Sequence, residues 1–334
     1  MINDSLLSNL KSMNVGVPPI KTIEEMFTPV AGSNLDSWFY IGRCKKDGHD
    51  LSFLLHFIIM TAGEGSSINT LLTVMDKTTG WHSAEDNYAP LTNQVRVENG
   101  TLLIQTEKGS MSANLERMRL TGRNKDCSVD VEVSPKGYVM NNGGACYFPI
   151  MVMKENYHYS LPFFTMTGKL TLGGETYEVE GDCWLDRQTD TFEITMKDGA
   201  MDSPGQWTWL GIYLDNKTAL SIWDYTDRNG RLSCFATVMG ENGRQAVYTI
   251  DSIVAQAEEV WVGQSGNRYP TKWRVNIPEL NLSLTVKAAK DEQEIVAQFA
   301  QMNRYEGEST VTGEMGGKSV TGNCCIELVG DWSK

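Results

Sequence analysis

Two stretches of this chain are versions of one hairpin, and that repeat constrains the fold more than any other feature. "YSLPFFTMTGKLTLGGETYEVEGDCWLD" (159–186) lies over "YEGESTVTGEMGGKSVTGNCCIEL" (305–328). Each copy opens on a tyrosine, Tyr159 or Tyr305, and reaches a Thr-Gly pair, Thr167-Gly168 or Thr312-Gly313. A Gly-Gly turn follows, at Gly173-Gly174 and Gly316-Gly317. Each copy closes on Gly, any residue, Cys, two residues and an acid: Gly181, Cys183 and Asp186, then Gly322, Cys324 and Glu327. Between the Thr-Gly pair, the turn and the closing glycine, the second copy is two residues shorter on each arm. Side chains alternate faces along a strand, so a symmetric loss of two leaves every one on its original side. The repeat predicts two related β-barrels, each ending in this hairpin and closing strand, over residues 1–190 and 191–334. Closure into barrels also removes the exposed sheet edges that so many strands would create.

The rest of the chain fits an all-β class. Short alternating or apolar runs such as "SWFYIGRC", "LSFLLHFIIM", "SVDVEVS" and "TWLGIYLD" are separated by turn pairs. Those pairs are "DG" at 47–48, "NG" at 99–100, "GG" at 173–174 and "NG" at 229–230, the strongest short hairpin signals. Helical periodicity is scarce. One short N-terminal helix is expected over residues 4–12, where Asp4 or Ser5 caps a Leu6, Leu7 and Leu10 stripe. "AAKDEQEIVAQFAQ" (288–301) has helical propensity but lies between strand-like segments.

Composition narrows the function. A net charge of −13 on 334 residues disfavours nucleic acid and anionic membrane surfaces as partners. The longest apolar run, "LSFLLHFIIM", is too short for a membrane helix. The N-terminus has neither the basic leader nor the continuous apolar core of a secretory signal. Seven cysteines without framework spacing fit a reducing compartment, so a cytoplasmic location is expected. Four histidines, none in HxH or HExxH spacing, argue against a zinc centre. No Walker loop, dinucleotide fingerprint or nucleophile elbow is present, so no redox or nucleotide cofactor is expected. The expected partner is a small hydrophobic or aromatic substrate.

The stretches 159–186, "WTWLGIYLDN", "RYPTKWRVNIPELNLSLTV" and "YEGESTVTGEMGGKSVTGNCCIELVG" resemble the carotenoid 1,2-hydratase (hydroxyneurosporene synthase)/AttH-like family. That family includes kievitone hydratase and lipocalin-like Diels–Alderases. The resemblance runs through residues 159–330, and "SWFYIGRCKKDGHDLSFLLHFI" fits the family's opening hairpin. It implies tandem lipocalin-like antiparallel barrels and an enzyme without a redox cofactor. The implied activity is that of a lyase (hydratase) or an isomerase or cyclase acting on a lipophilic natural product. A pericyclase and a non-catalytic carrier of lipophilic ligands are the alternatives. The family often carries Trp-x-Asp-His where this chain has Trp184-Leu185-Asp186-Arg187. Arginine stays charged and cannot shuttle a proton as histidine does, so a mechanism through that histidine does not transfer.

Candidate site residues follow from chemistry and spacing. Asp186 is two residues after Trp184, so both point the same way in a strand. Buried, it serves as acid or base; ion-paired with Arg187 or Arg43, it ties strand ends together. Arg187 could anchor an anion. Asp224 in "SIWDYTD" is the rival acid, in the strand region where carotenoid hydratases place an aspartate, although it points away from Trp223 and Tyr225 and is a candidate for solvent. His158 is the acid/base candidate of the matched region, beside Tyr159, whose hydroxyl could orient a substrate oxygen. His56 sits in an apolar strand that could line an interior, and His82 follows Trp81 in an expected loop. Trp184, Trp207, Trp209, Trp223 and Tyr225 are core aromatics or, together, a wall for a planar ligand and a developing cation.

Overall fold

The computed structural model describes residues 26–62, 65–114, 116–148, 150, 153–192, 196–197, 200–201, 206–226, 232–297, 300–330 and 332. The expected helix at 4–12 and the turn at 229–230 lie outside the described residues. What is described is almost entirely antiparallel strand with a few single turns of 3₁₀ helix.

The first sheet takes twelve strands. They are β1 (Leu35–Lys46), β2 (His49–Ala62), β3 (Gly65–Asp76), β4 (Trp81–Pro90), β5 (Val95–Glu98) and β6 (Thr101–Gln105). They continue as β7 (Gly109–Ala113), β8 (Met118–Arg123), β9 (Cys127–Ser134), β10 (Met140–Asn141), β11 (Met153–Leu172) and β12 (Glu175–Phe192). Hydrogen-bonded neighbours run β4-β3-β2-β1-β12-β11-β9-β8-β7-β6-β5, with β10 on β11. This is an up-and-down meander in which the first strand pairs with the last, leaving a seam between β4 and β5. Contacts across the interior show how far the sheet curls. Tyr40 Oη on β1 lies 3.2 Å from Met111 Sδ on β7 and 3.4 Å from Met118 Sδ on β8. Thr70 Oγ1 on β3 donates to Thr106 Oγ1 at 3.0 Å, and Lys108 pairs with Glu85 on β4 at 2.6 Å.

After a separate small ladder of β13 (Met196–Lys197) and β14 (Ala200–Met201), the pattern is repeated. The second sheet contains β15 (Trp207–Leu214), β16 (Thr218–Thr226), β17 (Leu232–Gly240), β18 (Gln245–Thr249) and β19 (Ala257–Val262). It is completed by β20 (Arg268–Ile277), β21 (Leu282–Ala288), β22 (Glu294–Ile295), β23 (Arg304–Met315) and β24 (Lys318–Val329). Its order is β18-β17-β16-β15-β24-β23-β21-β20-β19, with β22 on β23. Again the first long strand pairs with the last, and the seam falls after the fourth. Leu210, Ile222, Val238, Trp273, Tyr305 and Ile326 fill its interior core. The described residues of the helix-prone stretch form no α-helix. Buried Gln293 donates from Nε2 to the carbonyls of Lys290 and Glu308, at 2.8 and 3.0 Å, and holds the connection between β21 and β22.

Turns fall where the glycine pairs predict. Asp47-Gly48, Asn99-Gly100, Gly173-Gly174 and Gly316-Gly317 all take positive φ at both residues, the geometry that matches strand twist. The repeat glycines have a second role. A Cβ at Gly168 would come 2.3 Å from the Asp130 carbonyl oxygen, and one at Gly313 would come 2.1 Å from that of Ser283. At Gly181 and Gly322 the neighbours are the Arg43 and Tyr213 carbonyls, at 2.0 and 2.3 Å. Both copies therefore need bare backbone where the hairpin meets the adjoining strand.

The described residues divide into two compact units. One holds those up to Val139 together with Tyr157–Thr191; the other holds Met140–Asn156 and those from Phe192 onward. The segment before β11 thus belongs to the second unit. Its Gly143 amide donates to Thr237 Oγ1 at 3.0 Å, and its Asn141 amide donates to Gln245 Oε1 at 2.7 Å.

Candidate active site

Strand alternation separates Asp186 from Arg187. In the β1–β12 ladder Arg187 stands opposite Trp38, and Asp186 opposite Phe39. Trp38 and Tyr40 share the face that looks into the first barrel, so Arg187 points inward. Its guanidinium lies 4.1 Å over the Trp38 ring and is ion-paired with Asp36. It also donates to the carbonyls of Gln188 (2.9 Å), Ser37 (3.2 Å), Met26 (3.2 Å) and Thr28 (3.3 Å). A residue only 1% exposed, with this set of acceptors, fastens residues 26–28 to the barrel end. Sequence neighbours here are not a chemical pair.

Asp186 lies on the outward face with Trp184. The indole Nε1 of Trp184 donates to Asp186 Oδ1 at 2.7 Å, and His158 Nε2 on β11 lies 3.3 Å from the same oxygen. All three side chains are buried. The partners of Asp186 are therefore an indole and an imidazole, in place of the expected Arg187 or Arg43. Tyr159, next to His158 in the strand, takes the opposite face.

The ladder extends this site across the sheet. Asp186 faces Phe39, Phe39 faces His56 on β2, His56 faces Leu71 on β3, and Leu71 faces Asp86 on β4. Directly opposed residues project to one side, so the row is a continuous strip. The Phe39 ring meets His56 edge-on, with centroids 4.7 Å apart and planes at 81°. At the far end Asn69 Nδ2 donates to Asp86 Oδ1 at 2.5 Å. His82 lies on β4 itself, on the same face as Asp86 by alternation, where a loop was expected. Phe39 and Asp86 enter this row through pairing register, Asp86 from four strands away.

In the second unit Asp224 faces the interior. Its row is Thr208 and Leu328, and its carboxylate accepts from Ser252 Oγ at 2.6 Å and the Val254 amide at 3.1 Å. It is buried, not solvent-facing, and it anchors the loop before β19. Trp207, Trp209, Trp223 and Tyr225 occupy the other face of β15 and β16, in opposed pairs Trp207–Tyr225 and Trp209–Trp223. Gly211 lets the Trp209 ring lie along its strand, since a Cβ there would sit 2.5 Å from it; Nε1 then reaches Ser221 Oγ at 3.0 Å. Sequence reasoning missed Phe148 and Phe235, which complete the cluster. Phe148 has ring centroids 5.3 Å from Trp223, 5.8 Å from Tyr225 and 5.2 Å from Phe235. It also missed that Glu327, the repeat equivalent of Asp186, likewise accepts an indole N–H, from Trp207 at 2.7 Å.

Burial pushes the thiols of Cys44, Cys127, Cys146, Cys183 and Cys234 up to about 12, which leaves them protonated and non-nucleophilic near neutrality. Burial also raises Tyr305, whose hydroxyl donates to the Lys290 carbonyl at 2.9 Å.

A family model described as AttH-like matches residues 37–331. The chain is an AttH-like protein. Among curated relatives, the AttH-like chain is 26% identical over 222 residues to kievitone hydratase of Fusarium solani subsp. phaseoli, covering 65% of this chain and 61% of the relative. It is 26% identical over 234 residues to dehydratase asqC of Emericella nidulans, covering 66% of this chain and 64% of the relative. These matches span less than two thirds of the relatives' own length. Two solved structures share the fold, each at a TM-score of 0.77. A putative AttH from Nitrosomonas europaea is 20% identical, over 94% of this chain and 99% of that one. Kievitone hydratase from Nectria haematococca is 19% identical, over 94% of each chain. Among the described residues of the AttH-like protein, no helix is long and apolar enough to cross a membrane.

Proposed function

We propose that this AttH-like protein is a cytoplasmic, cofactor-independent enzyme that adds water to, or removes it from, a carbon–carbon double bond of a hydrophobic or aromatic natural product. One observation carries the proposal: a buried imidazole and a buried indole converge on one carboxylate, His158 and Trp184 on Asp186. A carboxylate that holds one ring nitrogen fixes the tautomer and supports the imidazolium, the form that gives up a proton. In hydration His158 gives its proton to carbon; in dehydration it removes one. Asp186 orients and stabilises His158, and Trp184 holds Asp186 in place. Arg187, Asp36 and Asp224 are left to structure by their own hydrogen bonds. The relatives named hydratase and dehydratase support the same reaction class.

Kievitone is the first probe to use, in deuterium oxide with mass and proton NMR detection. The proposal expects a product heavier by one heavy water, with deuterium bound to carbon. Product without carbon-bound deuterium points to a pericyclic reaction, and kievitone bound and recovered intact points to a carrier; either contradicts the proposal.

A further inference from the structure

We infer that His56 is a second proton-transfer residue of this site, the one that takes the proton from water as His158 gives one to carbon. The inference rests on the proposed function, since it assigns the partner step of the same reaction. His56 is 8% exposed, on the same outward sheet face as Asp186, and Phe39 is the directly opposed neighbour of both. Two strand spacings, about 9–10 Å between backbones, separate Asp186 on β12 from His56 on β2, and the His158 ring reaches Asp186 from β11, so substrate carbon and water have their place between the two imidazoles. Phe39 supplies an apolar floor, its ring edge-on to His56. The same-face neighbours of His56 along β2 are Leu54 and Ile58, both buried and apolar. An imidazole in such a strand has no packing advantage over leucine, whereas a reaction with two proton transfers needs a second group of this kind. Asp86, farther along the row, is held by Asn69.

The balance closes without a redox partner. The π electrons of the double bond form a C–H bond with the proton from His158, leaving a cationic carbon. Water's oxygen forms the C–O bond as one of its O–H bonds breaks, and that proton goes to the His56 imidazole. His56 then releases it to solvent and His158 takes one back, for a net gain of one water. Dehydration runs the same steps in reverse.

The test uses the full chain with kievitone as probe and compares His56→Gln, His56→Ala and Asp186→Asn, each checked for fold by circular dichroism. His56→Gln should lower kcat by about 100-fold with little change in KM. His56→Ala should lose turnover likewise and regain part of it in added imidazole, which a packing role would not permit. Wild-type kcat in His56→Gln, with Asp186→Asn inactive, overturns the inference and leaves the proposed function standing. Wild-type kcat in Asp186→Asn brings down the proposed function itself.

Discussion

Trp184 and Asp186, two residues apart on β12, are joined by a buried hydrogen bond of 2.7 Å from indole Nε1 to carboxylate Oδ1. The spacing that puts both on one face of the strand also lets the indole fold back along it. Trp184→Phe keeps the ring but deletes this donor. A hydrogen bond to a charged group contributes about 1.5–3 kcal/mol, so kcat should fall by about 10- to 100-fold. Steady-state turnover of kievitone, with the near-ultraviolet spectrum as a check on packing, measures it.

Arg187 makes the opposite prediction. Its guanidinium is consumed by Asp36, four carbonyls and the Trp38 face. Arg187→Met strands a buried carboxylate and should cost about 3–5 kcal/mol of stability. Adding Asp36→Asn should recover part of that loss, giving a non-additive cycle in urea denaturation.

Asp76 gives a pH signature. Burial acts to raise its carboxyl, but hydrogen bonds from Thr79 Oγ1 (2.7 Å), His49 Nδ1 (2.8 Å) and the Thr78 amide (3.0 Å) outweigh it and hold the group below its usual value. A lowered folded value means the ionised form stabilises the fold. That contribution is complete above the unfolded value of about 3.9 and is lost as pH falls through the lower folded one. The difference in Tm between wild type and Asp76→Asn should therefore be steady near neutrality and close below about pH 4.

The repeat glycines can be tested as a pair. Gly168→Ala and Gly313→Ala each drive a Cβ against a carbonyl oxygen, at 2.3 and 2.1 Å. Each should destabilise its own barrel by about 2–4 kcal/mol. Thermal unfolding followed by hydrogen exchange should show protection lost mainly in the unit that carries the substitution.

These cases mark what could be read from the amino acids. The hairpins were legible because backbone geometry demands glycine, at Gly173-Gly174 and Gly316-Gly317 for the turn and at Gly168 and Gly313 for close approach. The site was only half legible. Alternation places Trp184 with Asp186, but the other partner, His158, arrives from a different strand, and pairing register is a tertiary property. Arg187 looked like a partner because adjacency is visible in a sequence and facing is not. Asp224 showed the same limit: its partners, Ser252 and Val254, come from a loop with no motif. Segment 140–156 joins the second unit through Gly143 and Asn141, with nothing in its composition to announce it.

The most direct measurement is kcat of Asp186→Asn relative to wild type for the turnover of kievitone, with ligand affinity measured in parallel. Asparagine keeps the shape and the acceptor for Trp184 but removes the charge that the proposed mechanism uses to support a His158 imidazolium. A fall of about 10²- to 10⁴-fold in kcat with affinity preserved is predicted. Undiminished kcat in a folded Asp186→Asn protein would contradict proton transfer through His158 and Asp186.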